Sequence, residues 1–311
     1  MSRAELLDSQ FRALHRTSYE EYSEKIRKIR DDNEFISSSK KLFEERERDA
    51  IYRVSQMSPD DYAKIDQEQQ DAIKGHVQQV RSKLIARQSK EAQLFKQRAV
   101  LNGLEAQRPI SIPIFASSVM SDSASEVADI PGEHGNPWVL PWNPDKVKVS
   151  RSISGSEFGL CGMARPEIPS LVVDFWFAFL ADTTGVWNFM ALIDSFGFYL
   201  LNANRGFLLC RDSRATVSAS LNAYQYFWFG EKQFPIIDID SDTGFKYGFI
   251  DEYGNYDYQA FLRDDPNSYV FLRARISISV DAYGYGSWAE INFKDGDANF
   301  IKPLLLIAYQ I

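Results

Sequence analysis

Near residue 108 the sequence changes its period, and no single kind of secondary structure can run through the change. From residue 4 to residue 104 there is one proline, Pro59, amid dense Glu, Lys, Arg, Gln and Ala, a composition that favours helix. At Arg108 the string "RPISIPIF" sets two prolines among β-branched residues, which removes backbone donors and turns the preceding residues away from helical geometry. From about residue 146 apolar side chains recur at every second position instead. The expectation is an α+β chain in two segregated parts: long α-helices, as a helical hairpin or coiled coil, over 1–108, and an antiparallel β-sandwich or jelly-roll domain over 146–311. Residues 109–145, rich in Ser, Gly and Pro, should form an irregular connection. At 311 residues the chain is long enough for each part to bury a core.

The helical part is striped. Leu7, Phe11, Leu14, Ser18, Tyr22, Ile26 and Ile29 recur at steps of three and four, so the first helix presents one apolar face that needs a partner. "RDDNEF", residues 30–35, predicts a break, after which a second helix carries Phe43, Ile51 and Val54. In "MSPDDY", Ser58 is placed to cap a third helix, with Pro59 at its first position and Asp60 and Asp61 at the positive end of its dipole. That helix should run for some 45 residues, about 65 Å. Its stripe of Ile73, Val77, Val80, Leu84, Ala92, Phe95 and Ala99 is thin and broken by Gln88, the pattern of an extended hairpin or a coiled coil. Paired within the chain, such stripes make an antiparallel bundle. Paired between chains, they make a homo-oligomer through the N-terminal helices.

In the β-part, "VFLRARISISV" alternates cleanly. Val270, Leu272, Ala274, Ile276, Ile278 and Val280 share one face, and Phe271, Arg273, Arg275, Ser277 and Ser279 the other. "LVVDFWFAFL", 171–180, is apolar on both faces apart from Asp174, which predicts a central strand covered on both sides or an aromatic surface kept for a partner. Turn signals such as "DTTG", "DTG", "EYGN" and "RDDPN" punctuate the runs between. The stretch "LVVDFWFAFLADTTGVWNFMALID" resembles the hairpin rhythm of concanavalin-like jelly rolls, without a motif that would carry a site over.

Charge divides with the fold. Residues 1–108 hold 21 Lys and Arg against 19 Asp and Glu, net +2, whereas 109–311 hold 14 against 24, net −10. A body so acidic repels phosphate backbones, which excludes it as a nucleic-acid surface. No run of about 18 apolar residues could span a bilayer, and "MSRAELLDSQ" lacks the apolar core of a signal peptide. These features predict a soluble chain, extracellular or virion-associated only by a non-classical route. Cys161 and Cys210 are too few for a disulfide scaffold and predict either two buried thiols or one bridge.

Candidate sites follow from residue types. Asp238, Asp240 and Asp242, ahead of Gly244, alternate as the front half of a calcium loop does, since hard oxygen ligands suit calcium. The glycine falls one place late and Phe249 stands where a bidentate glutamate belongs, so an exposed acidic turn fits as well, and no cofactor is otherwise expected. Tyr253, Tyr256 and Tyr258, then Tyr283, Tyr285 and Trp288, lie beside Asp, Asn and Gly, as flat amphipathic rings do on carbohydrate- and protein-binding surfaces. Core filling is the alternative, and it is the expectation for "YQYFWF" at 224–229. Trp138 and Trp142 in "NPWVLPW" could enter a receptor pocket or a membrane interface, or clamp their own loop. His15, His76 and His134 are scattered, which speaks against a zinc site. Asp174 is the carboxylate whose surroundings would perturb it, as a hydrogen-bonded structural aspartate first of all.

Together these features predict a non-enzymatic binding protein in which a helical stalk presents an acidic, aromatic-rich head to a cell-surface glycan or protein receptor, as in virion fibres, adhesins and delivery appendages. Two alternatives remain at the level of sequence. One is a toxin component whose amphipathic helices insert into a membrane, the other a jelly-roll enzyme acting on polysaccharide with two of its carboxylates.

Overall fold

A computed structural model describes residues 2–91, 110–112, 114–121, 147–152, 171–203, 212–242, 244–283, 287–293, 295 and 299–311. Helix α1 is Arg3–Ser55 and α2 is Pro59–Glu91. Ser2 caps α1 in a reciprocal box, its hydroxyl accepting from the Glu5 amide while the Glu5 carboxylate accepts from the Ser2 amide. Gln56, with φ 54°, ends the helix in the left-handed region. Ser58 caps α2 as its position predicts, accepting from the Asp61 amide at 3.2 Å ahead of Pro59. The break expected at 30–35 is absent: α1 runs through it, because Asp and Asn cost a helix only some tenths of a kcal/mol each when no Gly or Pro joins them. The last third of the expected third helix, beyond Glu91, lies outside the described residues, as do Cys161 and Cys210. No described helix is long and apolar enough to cross a membrane.

The described strands are β1 (Ile110–Ile112), β2 (Ile114–Ser121), β3 (Val147–Ser152), β4 (Leu171–Phe179), β5 (Gly185–Ala203), β6 (Asp212–Tyr224), β7 (Lys232–Ser241), β8 (Gly244–Leu262), β9 (Val270–Tyr283), β10 (Trp288–Phe293) and β11 (Phe300–Gln310). They form two antiparallel sheets. One has the order β2-β4-β9-β6-β7. The other is built on β5, with β8 along one edge from end to end, while β11 and then β10 share the opposite edge, flanked by β1 and β3. Gly197 sits where β11 gives way to β10: its neighbours Phe196 and Phe198 pair with Phe300 and Asn292, and a Cβ here would stand 2.5 Å from the Asn292 carbonyl oxygen.

The sheets face each other across one core. Leu171, Val173, Phe175 and Phe177 of β4 and the even-numbered apolar residues of β9 meet Trp187, Phe189, Ala191 and Ile193 of β5 and Ile291 and Phe293 of β10. A β-sandwich is therefore present, and the two-sided strand at 171–180 is central, between β2 and β9.

What covers its second face corrects the picture of two parts kept apart. The helices and sheets are segregated along the chain but not in space. Leu7, Phe11 and Leu14 of α1 pack on Trp176 and Phe271, the outward residues of β4 and β9. Ile73, Val77, Val80, Leu84 and Ile85 of α2 pack on Phe198 and Leu200, the outward residues of β5, and on Phe245, Phe249 and Trp288. An apolar helix stripe needs a surface, and each of these finds one on the outside of a sheet.

Candidate functional site

Beneath α1 the covered face is partly charged. On β4 and β9 the outward positions carry Asp174, Trp176, Phe271, Arg273 and Arg275, with Asp174 directly opposite Arg275 across the ladder. Arg275 donates from Nε and Nη2 to the two Asp174 carboxylate oxygens at 2.7 and 2.8 Å. Burial alone would raise the Asp174 pKa; the charge and hydrogen bonds of Arg275, with Arg273 and His15, outweigh it and hold the carboxyl below its ordinary range. Arg273 donates to the Ser18 hydroxyl at 2.6 Å, lies 3.6 Å from the Glu231 carboxylate, and places its guanidinium over the rings of Trp228 and Trp176. His15 is wedged against Phe11 and Trp176, and burial lowers its pKa. Asp174 is thus clasped, dry and roofed by α1, the structural aspartate that its sequence context suggests.

A second anchor holds α2. Glu290 of β10 is fully buried, takes a 2.5 Å ion pair from Arg81, and accepts from Asn292 Nδ2 at 3.0 Å and from Trp288 Nε1 at 3.4 Å. Arg87 lies over the Phe249 ring and His76 meets Phe245 edge-on. Trp288, a residue that sequence offers as a ligand contact, is half-buried here between sheet and helix.

Past Phe249 the helix no longer covers β8. Strand alternation then sends Asp251, Tyr253, Asn255, Asp257, Gln259 and Phe261 to the outer face, and all six are exposed, Tyr253 by 37% and Phe261 by 52%. Across the ladder stand Asp194 beside Tyr253, Leu192 beside Asn255, Asn188 beside Gln259 and Val186 beside Phe261. Leu192 and Asn188 are buried, so the row forms a ledge along the sheet edge. Its far end is fixed by a reciprocal pair, Gln225 Nε2 donating to the Arg263 carbonyl at 2.7 Å and the Arg263 amide to Gln225 Oε1 at 2.8 Å, and by the Asp264 amide donating to Thr184 Oγ1. Lys232 reaches the strand from β7, its ammonium 3.0 Å from the Asp257 carbonyl oxygen.

The other candidates separate by parity and place. Tyr256 and Tyr258 point the opposite way from Tyr253: Tyr256 closes the sandwich edge against Phe234 at 5.0 Å, and Tyr258 lies in the core near Phe189. Burial raises the pKa of both phenols. Tyr283 pairs with Asp212 through its backbone, and Tyr285, Trp138, Trp142 and His134 lie outside the described residues. In "YQYFWF", Tyr224, Trp228 and Phe229 pack as expected, while Tyr226 and Phe227 stand exposed. Asp238 is held by Arg214 through two 3.0 Å hydrogen bonds that lower its pKa, Asp240 points outward from β7, and Asp242 is exposed in the turn before Gly244. Among the described residues no three His, Cys, Asp or Glu side chains are grouped to hold a metal ion. Asn255, Asp257, Gln259 and Phe261 share the exposed face with Tyr253, and tyrosine content alone does not reveal them. Their signal is the shared odd parity with Tyr253.

No protein-family model matches the chain, and no curated protein matches it. Among solved structures, one similar chain is that of TmCBM61 in complex with beta-1,4-galactotriose, at 11% identity, covering 69% of this chain and 100% of that one, with a TM-score of 0.17. So slight an overlap carries neither a fold nor a ligand across.

Proposed function

We propose that this protein is a non-catalytic glycan-binding protein whose β-sandwich presents the β8 ledge to its ligand. The carrying observation is the row from Tyr253 to Phe261, where an aromatic ring stands at each end of three consecutive outward polar side chains, all exposed on a strand fixed by its sheet. Rings offer flat apolar area at low entropic cost, and amides and carboxylates pair with hydroxyls. The helices supply reach, since α1 alone is 53 residues long, about 80 Å. Such an arm suits the display of a head and the joining of several copies, where avidity multiplies a modest affinity.

A catalytic reading has less support, because among the described residues the buried carboxylates, Asp174 and Glu290, are both occupied by arginines under a helix. The test is native electrophoresis of the full chain through gels containing soluble polysaccharides, repeated with Tyr253→Ala and Phe261→Ala. Retardation of the parent chain that weakens in both variants is expected. An unchanged mobility in every polysaccharide would end the proposal.

A further inference from the structure

We infer that the ligand is an internal stretch of an extended, uncharged glycan chain, bound lengthwise along β8; this rests on the glycan-binding reading above. The first ground is shape. Tyr253 and Phe261 are eight residues apart on one strand, about 27 Å at 3.3–3.4 Å per residue. The groups between them, Asn255, Asp257 and Gln259, follow in single file. A terminal sugar docked at one ring could meet only one or two of these groups, whereas an extended chain meets the whole series. The strand twists along its length, so the two end rings do not face one way, and a chain that itself twists will match them best.

The second ground is charge. Asp251 and Asp257 stand exposed on the outer face, and Glu252 is exposed on the same strand. Lys232 touches the edge from β7, but its ammonium is engaged with the Asp257 carbonyl oxygen and the Phe234 ring. Residues 109–311 as a whole carry 14 basic against 24 acidic side chains. A glycan bearing carboxylates or sulfates would therefore be repelled at the ledge and over longer range. Two of the three groups between the rings are amides, each both donor and acceptor, and so are matched to the hydroxyls of an uncharged chain.

The third ground is the position of α2. The helix packs on Phe245 and Phe249 but leaves Tyr247 between them 55% exposed, and every outward side chain from Asp251 to Phe261 is exposed. At the other end Val186 and Ile311, both exposed, flank Phe261 across the sheet, the Ile311 amide donating to the Val186 carbonyl oxygen. Among the described residues, exposed side chains therefore stand at both ends of the row, Tyr247 at one and Val186 and Ile311 at the other, as an internal stretch of a chain requires.

The experiment uses the full chain in gels of hydroxyethyl cellulose, soluble mannan, polygalacturonate, dextran sulfate and chitosan. Calorimetry then follows with the disaccharide and hexasaccharide of whichever neutral polymer retards it. Retardation by a neutral polymer alone is expected, with the hexasaccharide binding at least tenfold tighter than the disaccharide. Tyr253→Ala/Phe261→Ala should remove that tenfold gain while melting with the parent chain, since both side chains are exposed. Equal affinity for the two lengths, or stronger retardation by a charged polymer, overturns this inference and leaves glycan binding standing. No retardation in any gel overturns both.

Discussion

Replacing Phe11 by alanine should destabilise the β-sandwich, although Phe11 belongs to the helical part of the chain. The ring is fully buried, 5.4 Å edge-on from Trp176 and 6.0 Å from Phe271. Removing it from its site costs about 2–3 kcal/mol of apolar transfer, and about 0.5–1.5 kcal/mol for each aromatic pair. The better helix propensity of alanine returns roughly half a kcal/mol. The net loss is about 3–5 kcal/mol, within the range found for phenylalanine truncations in cores. Urea unfolding followed by near-ultraviolet circular dichroism is the assay, because Trp176 and Trp228, 6.1 Å apart, lie on the covered face and report its packing. Val54→Ala, at a position 83% exposed near the end of α1, is the control and should shift stability by under about 0.5 kcal/mol. A Phe11→Ala loss below about 1 kcal/mol, with the indole signal unchanged, would refute the argument that α1 and the sheet unfold as one unit.

The buried ionisable groups predict acid sensitivity of one sign. The Asp174 pKa is lower in the folded chain, so its contribution is present above the unfolded carboxylate pKa and is lost as pH falls through the folded value. The His15 pKa is also lower when folded, so stability declines as pH falls below about 6.5, where the unfolded imidazole takes a proton first. His15→Gln should flatten the upper part of that decline and Asp174→Asn the lower part, read from urea midpoints across pH. Gly197→Ala should cost at least about 1–3 kcal/mol by overpacking against the Asn292 backbone and the Phe293 ring, whereas Gly75→Ala on α2, which meets nothing within 4 Å, should be neutral or stabilising in the same melts. Calcium should leave the melting temperature unchanged because Asp238 is already paired with Arg214; a rise of several degrees reversed by chelator would return Asp238, Asp240 and Asp242 to the status of a metal loop.

The sandwich was legible where one strand carried its own answer. "VFLRARISISV" encodes an inner and an outer face by parity alone, and "LVVDFWFAFL" encodes cover on both sides. The cover itself was not legible, because Phe11 and Trp176 are remote in sequence and no local period links them. The same holds for Arg273 and Arg275: on a bare sheet they would read as solvent-facing, and under α1 Arg273 is buried and Arg275 half-buried. Tyr253 was legible as a surface ring among polar neighbours. Grouping it with Tyr256 and Tyr258 followed residue type where parity was the better guide, since one residue of offset on a strand reverses the face.

Each helix meets its sheet through an apolar stripe and one buried polar anchor, and the two serve different ends. A stripe repeating every three to four residues would pack almost as well after sliding by a turn. Ser18 on Arg273 and Arg81 on Glu290 remove that freedom: a slide of α2 would leave the Glu290 carboxylate buried without its arginine, at a cost of several kcal/mol, and a slide of α1 would cost Arg273 its hydrogen bond to Ser18, about 1.5–3 kcal/mol. Fixing α2 in register also fixes where it stops covering β8. The boundary between Phe249, under Arg87, and Asp251, in the open, is then a property of the helix anchor as much as of the strand. A ledge whose upper limit is set this way keeps Phe245 and Phe249 against the helix and leaves Asp251 to Phe261 in water, the stretch of that face where polar side chains outnumber aromatic ones.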